Sequence, residues 1–265
     1  DVFVHHEGST ISAAVPEQRV ENMEKGRLLF RRKYNGIDAW DDVINFEVFM
    51  RRVLFEKTAG KENARALGID VRCGTPLLEI QNTLRSDGFG NTQLTAYTTD
   101  PKYWQDLSYF CEGGVFCGDI DRLSHKLGDA LYDYIIMGAY VDLYEDALAV
   151  IDSAASHLRT GGALVCKLRN YDIAYELQAV ANAIQHPPEP LAQGLQRLEE
   201  ELRKLPYGVE IYPYMEEAYF LQENFFAQLR EMELYRSNAR VREIFSEENF
   251  DMLMMQYAVV LRKII

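Results

Sequence analysis

The chain has 265 residues, 48% hydrophobic and 26% charged, a composition that supports a globular core and excludes disorder of the whole. Twenty-eight basic residues stand against 41 acidic ones; a formal charge of −13 repels phosphate backbones, so no nucleic-acid partner is expected. No apolar run approaches the roughly 20 residues that a membrane span needs.

Residues 1–9, DVFVHHEGS, form a short β-type run, and 17–33 follow with helical spacing until Gly36 stops them. Asp41 and Asp42 open a second helix with the stripe Val43, Phe46, Phe49, Met50, Val53 and Leu54. Residues 1–60 thus read as a helical appendage and 61–265 as the main domain. In that domain short apolar runs alternate with helical stretches. The runs are ALGIDV (66–71), QLTAYT (93–98), GVFCGDI (114–120), YDYIIMGA (132–139) and GALVCKL (162–168). Helices are expected over 77–85, 103–110 and 145–158, the last stopped by the turn at Gly161 and Gly162. Such alternation predicts βαβ units and a mostly parallel α/β sheet.

Further along, a helix is expected over 173–185, then the rigid kink HPPEP (186–190). Leu191, Leu195, Leu198, Leu202 and Leu205 make a stripe closed by Pro206, read as an amphipathic helix packed on its own domain, with a lid or a homodimer contact as alternatives. A helix over 216–231, a short strand over 233–236 and a last strand within 254–264 complete the pattern. Cys73, Cys111, Cys117 and Cys166 form no metal-binding or redox spacing, and buried free thiols in the cytoplasm are expected. No signal peptide is visible and the chain starts at Asp1, which reads as a fragment whose amino terminus lies upstream.

An open parallel sheet binds ligands at the carboxyl ends of its strands, where strand order reverses. The loops to watch are therefore Asp70-Val71-Arg72-Cys73-Gly74-Thr75-Pro76, the turn Gly118-Asp119-Ile120, and Gly138-Ala139-Tyr140-Val141-Asp142.

On these residues the stretch from about Ala66 to Ile265 resembles the seven-stranded, Rossmann-like class I S-adenosylmethionine-dependent methyltransferases, and is most similar to those attached to family-2 glycosyltransferases. The family's first loop reads D-x-G-C-G-x-G, matched by Asp70, Cys73, Gly74 and Thr75. Gly118-Asp119-Ile120 is similar to its acidic turn beside the adenine, and residues 132–170 to its fourth strand, fourth helix, glycine turn and fifth strand. The resemblance implies a doubly wound sheet of order 3-2-1-4-5-7-6 with the seventh strand antiparallel. It implies S-adenosylmethionine as cofactor, held by Asp70, Cys73, Gly74, Asp100, Asp119 and Ile120. A small-molecule or glycan acceptor would lie near Tyr140, Asp142 and Tyr171, the nearest helpers for deprotonating a hydroxyl.

The departures are as definite. Arg72 stands at the family's first glycine and Pro76 at its last. The carboxylate expected near Thr98 to hold the ribose is missing, and Asp100 replaces it only if the strand end bends. Ala139 and Leu143 stand where the fourth-strand loop usually carries an acid and a histidine. These changes support an alternative: a scaffold or dimerisation module that kept the fold and lost the cofactor. Residues 1–36 resemble the carboxyl end of a family-2 glycosyltransferase domain, where a histidine such as His5 or His6 completes a metal site; by itself an adjacent histidine pair reads as an ordinary strand feature, and an upstream glycosyltransferase partner follows from the resemblance. No metal is expected in this chain, and His125, His157 and His186 read as surface or capping residues. A dinucleotide-binding dehydrogenase is disfavoured because no G-x-G-x-x-G surrounds Gly74.

Overall fold

The structure, a computed structural model, describes residues 16–38, 63–86, 88, 90–169, 195–214, 230–244, 246 and 256–264. In chain order these form α1 (Pro16–Lys33), β1 (Asn63–Ile69), α2 (Thr75–Ser86), β2 (Asn91–Thr98), α3 (Trp104–Ser108), β3 (Val115–Cys117) and α4 (Leu123–Leu127). Then come β4 (Tyr132–Tyr140), α5 (Ala147–Ser156), β5 (Leu158–Arg169), α6 (Leu195–Leu202), β6 (Gly208–Tyr214), α7 (Glu233–Ser237), α8 (Ala239–Ile244) and β7 (Gln256–Arg262).

The seven strands form one sheet of order β3-β2-β1-β4-β5-β7-β6. Strands β1 to β5 pair in parallel, and β7 is antiparallel to both of its neighbours, β5 and β6. This is the order and sense expected from the sequence. The chain enters the sheet at its middle, winds outward to β3, then returns to lay β4 against the free side of β1, so strand order reverses between β1 and β4.

Parallel strands need crossovers, and the crossover helices bury both faces of the sheet. On one face Leu67, Ile69, Tyr97, Met137, Leu164 and Val259 pack against Leu123, Ile151 and Leu202 of α4, α5 and α6. On the other, Ala66, Ala96, Ile136, Val165 and Val260 pack against Leu77, Ile80 and Leu84 of α2 and Leu107 of α3. Leu202 is fully buried, so the amphipathic helix lies on its own domain, as the stripe suggested. At the amino ends of the strands the buried Asp133 accepts from the Arg65 N–H at 2.9 Å and from Arg159 Nη1 at 3.1 Å, tying β1, β4 and β5 together. His157 is buried rather than a surface residue. It caps α5, and its ring lies between the Ala130 carbonyl (2.9 Å) and Ser124 Oγ (3.2 Å).

Two expectations need correction. The sixth strand is Gly208–Tyr214, not residues 233–236, which are helical. Pro213 disguises the strand, yet β6 is an edge, the place in a sheet where proline is tolerated. The alternation Glu-Leu-Tyr-Arg is a helix whose turn is closed by Ser237 Oγ donating to Glu233 O at 2.8 Å. The Gly161–Gly162 pair also differs: it lies inside β5, where pairing with β4 jumps from Tyr132↔Leu158 to Tyr134↔Ala163. The first strand, second helix and 173–185 helix of the sequence reading fall outside the described residues, as does nearly all of the 216–231 helix. The described part of residues 1–60 is α1 and the turn after it, in which Ile37 enters the core and Asp38 accepts from Arg27 Nε at 2.6 Å.

A Cβ on Gly162 would stand 2.9 Å from the Arg159 and Asp133 carbonyl oxygens and 3.2 Å from that of Tyr132. Backbone cannot retreat as a side chain can. Gly162→Ala is expected to lower stability by about 1–3 kcal/mol, measured by urea unfolding with an unchanged slope.

Candidate functional site

Because β1 to β4 run the same way, their carboxyl ends share one rim, and the loops after them meet at the reversal between β1 and β4. Asp70 is the first residue beyond β1. It has φ +49°, in the left-handed region that short polar side chains tolerate best. Its N–H donates to the Tyr97 carbonyl at 2.9 Å. Its carboxylate accepts three hydrogen bonds: Oδ1 from the Thr99 N–H (2.7 Å) and hydroxyl (2.9 Å), Oδ2 from the Tyr144 hydroxyl (2.7 Å). One carboxylate thus joins the ends of β1 and β2 and the loop after β4. Burial, and then the adjacent Asp70, push the Tyr144 phenol up, so it stays protonated as a donor. Of roughly four acceptor positions on a carboxylate, one is left on Oδ2.

Arg72 also adopts a positive φ, +51°, where the family motif has glycine, and its side chain is exposed with no ion pair among the described residues. Cys73 packs half-buried against the layer that holds Val71 and Leu77. Gly74 has φ +86°, and a Cβ there would collide with the Phe110 ring and Leu107, so glycine is required both by the backbone and by the closeness of the segment after α3. Pro76 is buried in the first turn of α2, where its missing N–H costs no helix bond.

At the end of β2, Thr98 is fully buried and its hydroxyl donates to the Asp100 carbonyl at 2.9 Å. Asp100 is exposed; its Oδ1 caps the following turn by accepting from the Lys102 N–H at 2.9 Å, which leaves Oδ2 unpaired. Beyond β3, Asp119 is exposed at the start of a 3-10 turn, Ile120–Arg122, yet its side chain does not cap that turn. Neither its carboxylate nor the Ile120 N–H forms a hydrogen bond among the described residues. Tyr97, fully buried at the end of β2, donates its hydroxyl to the Asp119 carbonyl at 2.6 Å. Burial, then the carboxylates of Asp119, Asp121 and Asp70, push the Tyr97 phenol up to about 12.

Tyr140 ends β4 and Asp142 lies in the turn after it, both partly buried. The Lys167 ammonium lies 4.8 Å from the centroid of the Tyr140 ring. Lys167 is only 6% exposed at the end of β5, directly paired with Tyr140. The sequence reading passed over Lys167, although a lysine inside the apolar run GALVCKL is itself a signal. It also missed Tyr97, Thr99 and Tyr144, which look like ordinary strand or loop residues. Tyr171, His5, His6 and His186 lie outside the described residues. No group of three or more metal-ligating side chains occurs among the described residues, and no described helix is long and apolar enough to cross a membrane.

A nucleoside bearing a sulfonium amino acid asks for an acceptor and a donor at its base and an acceptor at its ribose. The donor set of the rim holds such groups: the Asp119 carboxylate and the Ile120 N–H on adjacent residues, and Asp100 Oδ2 beyond β2.

No family model matches the sequence, and no curated protein matches it. Among solved structures, the chain is similar to a SAM dependent methyltransferase from Archaeoglobus fulgidus, with 18% identity, TM-score 0.48, and 89% of this chain and 99% of that one covered. It is similar to the YcgJ protein from Bacillus subtilis, with 11% identity, TM-score 0.46, and 81% and 97% covered. A third is the plantazolicin methyltransferase BpumL in complex with SAH, with 15% identity, TM-score 0.46, and 81% and 80% covered. The assignment of fold rests on the strand order and senses given above.

Two outcomes are expected of the tyrosines. Tyr144→Phe removes a phenol bonded to a carboxylate and lowers stability by about 1.5–3 kcal/mol in denaturant unfolding. For Tyr97 the native phenol keeps its proton above the ordinary 10.0, so the unfolded chain ionises first as pH rises. Its contribution to stability is whole below pH 10 and is lost towards pH 12. A spectrophotometric titration of wild type against Tyr97→Phe should show one phenol missing near the upper end of that range.

Proposed function

We propose that the domain is an S-adenosylmethionine-dependent methyltransferase acting on a small polar acceptor. The observation that carries the reading is the free Asp119 carboxylate beside the free Ile120 N–H at the rim of a sheet ordered 3-2-1-4-5-7-6. Adenine presents an amine donor next to a ring-nitrogen acceptor, the complement of that pair. Asp119 and Ile120 would hold the base, Asp100 Oδ2 the ribose, and the Cys73–Gly74 turn with the last acceptor position of Asp70 the amino acid part. When bound, the cofactor supplies an activated methyl group. The chain's own contribution is to hold the acceptor in line and exclude water. Tyr140 and Asp142 are the groups placed to orient an acceptor hydroxyl and take its proton.

A sugar as acceptor, an upstream glycosyltransferase partner and a cytoplasmic location belong to the same proposal. They are supported by the sequence resemblance and the cysteine pattern alone. A second reading, a scaffold that no longer binds the cofactor, is favoured by one arrangement: Thr98 and Thr99 occupy the ribose-binding end of β2, and Thr99 is bonded to Asp70.

Calorimetry with S-adenosylmethionine and its demethylated product separates the two. Heat of binding is expected, and Asp119→Ala should weaken the affinity roughly 10–150-fold, the loss of one charge-assisted hydrogen bond. No heat from either compound at millimolar concentration would end the enzyme reading and leave the scaffold.

A further inference from the structure

At the amino ends of β4 and β5, the side of the sheet away from the candidate rim, Ser153, Ser124 and His157 form a hydrogen-bonded chain that the cofactor reading does not use. His157, the C-cap of α5, is 4% exposed and fixed through its backbone. Its carbonyl accepts from the Tyr132 N–H at 2.8 Å and its N–H donates to the Ala154 carbonyl at 3.1 Å. Its ring meets the Ala130 carbonyl through Nδ1 at 2.9 Å and Ser124 Oγ through Nε2 at 3.2 Å. A carbonyl only accepts. In the imidazole form the one ring proton therefore sits on Nδ1, and Nε2 is an acceptor. Ser124 is then the donor to Nε2. Its hydroxyl lies 2.8 Å from that of Ser153, and because the Ser124 proton is given to the ring, Ser153 is the donor of that pair. One lone pair of Ser124 Oγ is left uncommitted by these contacts. Ser124 itself is exposed on α4, while the ring beside it is buried.

We propose that Ser124 is a nucleophile and His157 its general base, in a second site that takes activated acyl donors such as aryl esters and thioesters. An activated nucleophile is marked by a base within hydrogen-bond reach that a third group orients. Here the third group is the Ala130 carbonyl, which fixes the tautomer. As Ser124 Oγ bonds to the acyl carbon, its proton passes to Nε2. The bond from that carbon to the leaving oxygen or sulfur breaks with its electron pair, and the leaving group takes the proton. Water, giving a proton to the same nitrogen, then splits the acyl-serine into a carboxylic acid and the restored hydroxyl. A positioned base contributes about 10²–10⁴-fold, which suits donors with good leaving groups.

The test mixes the full chain, without S-adenosylmethionine, with p-nitrophenyl acetate. Nitrophenolate release is followed by absorbance, and the acetyl group is located by peptide mass mapping. A burst of about one nitrophenolate per chain is expected, with acetyl on Ser124. Ser124→Ala, at an exposed position, should abolish the burst, and His157→Gln should slow acetylation of Ser124 about 10²–10⁴-fold. If His157→Gln does not fold, Ser124→Cys decides: iodoacetamide should alkylate position 124 at least about tenfold faster than free cysteine, because a thiol beside a base ionises more readily. Acetyl on lysines alone, a burst that survives Ser124→Ala, an unchanged rate in His157→Gln, or alkylation of position 124 no faster than of free cysteine overturns the proposal. None of these outcomes bears on cofactor binding at the rim.

Discussion

The placement of β1 between β2 and β4, parallel to both, is the constraint from which the site follows. Three neighbouring strands that end at one rim bring together loops far apart in the chain. Helices cover both faces, so the rim is where polar groups meet solvent. One carboxylate ties neighbouring strands together at each end of the sheet's middle. At the amino end Asp133 on β4 accepts from Arg65 on β1 and Arg159 on β5. At the carboxyl end Asp70, following β1, accepts from Thr99 after β2 and Tyr144 after β4. The first is buried and structural. The second, on the rim, holds the loops of the candidate site in register with one another.

Asp70 therefore has a double character. Its carboxylate is mostly committed to the protein, with one acceptor position to spare. A ligand at the rim would meet a group already oriented by three hydrogen bonds, which lowers the ordering cost of binding. Asp119 is the opposite case, its carbonyl fixed by Tyr97 and Arg122 and its carboxylate free. The loop after β1 spends its carboxylate on cohesion; the turn after β3 leaves its carboxylate unspent.

Much of this was legible in the sequence, for physical reasons. Strands buried on both faces read as continuous apolar runs, so β1, β2, β4 and β5 announced themselves; Asp70 was found at the end of such a run and Asp119 in the turn after the third strand. Their partners were not. Thr99 and Tyr144 lie 29 and 74 residues from Asp70, and no periodicity reports a contact across a crossover. Tyr97 read as one more strand aromatic, since sequence cannot show that a hydroxyl emerges from the core. The sixth strand was misplaced because Pro213 obscures an edge strand, while the short run Glu-Leu-Tyr-Arg over 233–236 imitates one. Arg72 is exposed and pairs with no acid among the described residues.

The two readings of the domain differ by less than the missing ribose carboxylate suggests. A charge-assisted hydrogen bond contributes about 1.5–3 kcal/mol, so its absence lowers affinity without removing a site. Thr98 cannot replace it, for its side chain is buried and turned back on Asp100. Asp100 retains one unpaired oxygen at the same strand end. The Cys73–Gly74 turn, with Gly74 packed too tightly for any side chain, and the Asp119–Ile120 pair are both present. The Asp119 carboxylate makes no cap bond to its own turn and is exposed at the rim, while the carbonyl of the same residue is held by Tyr97.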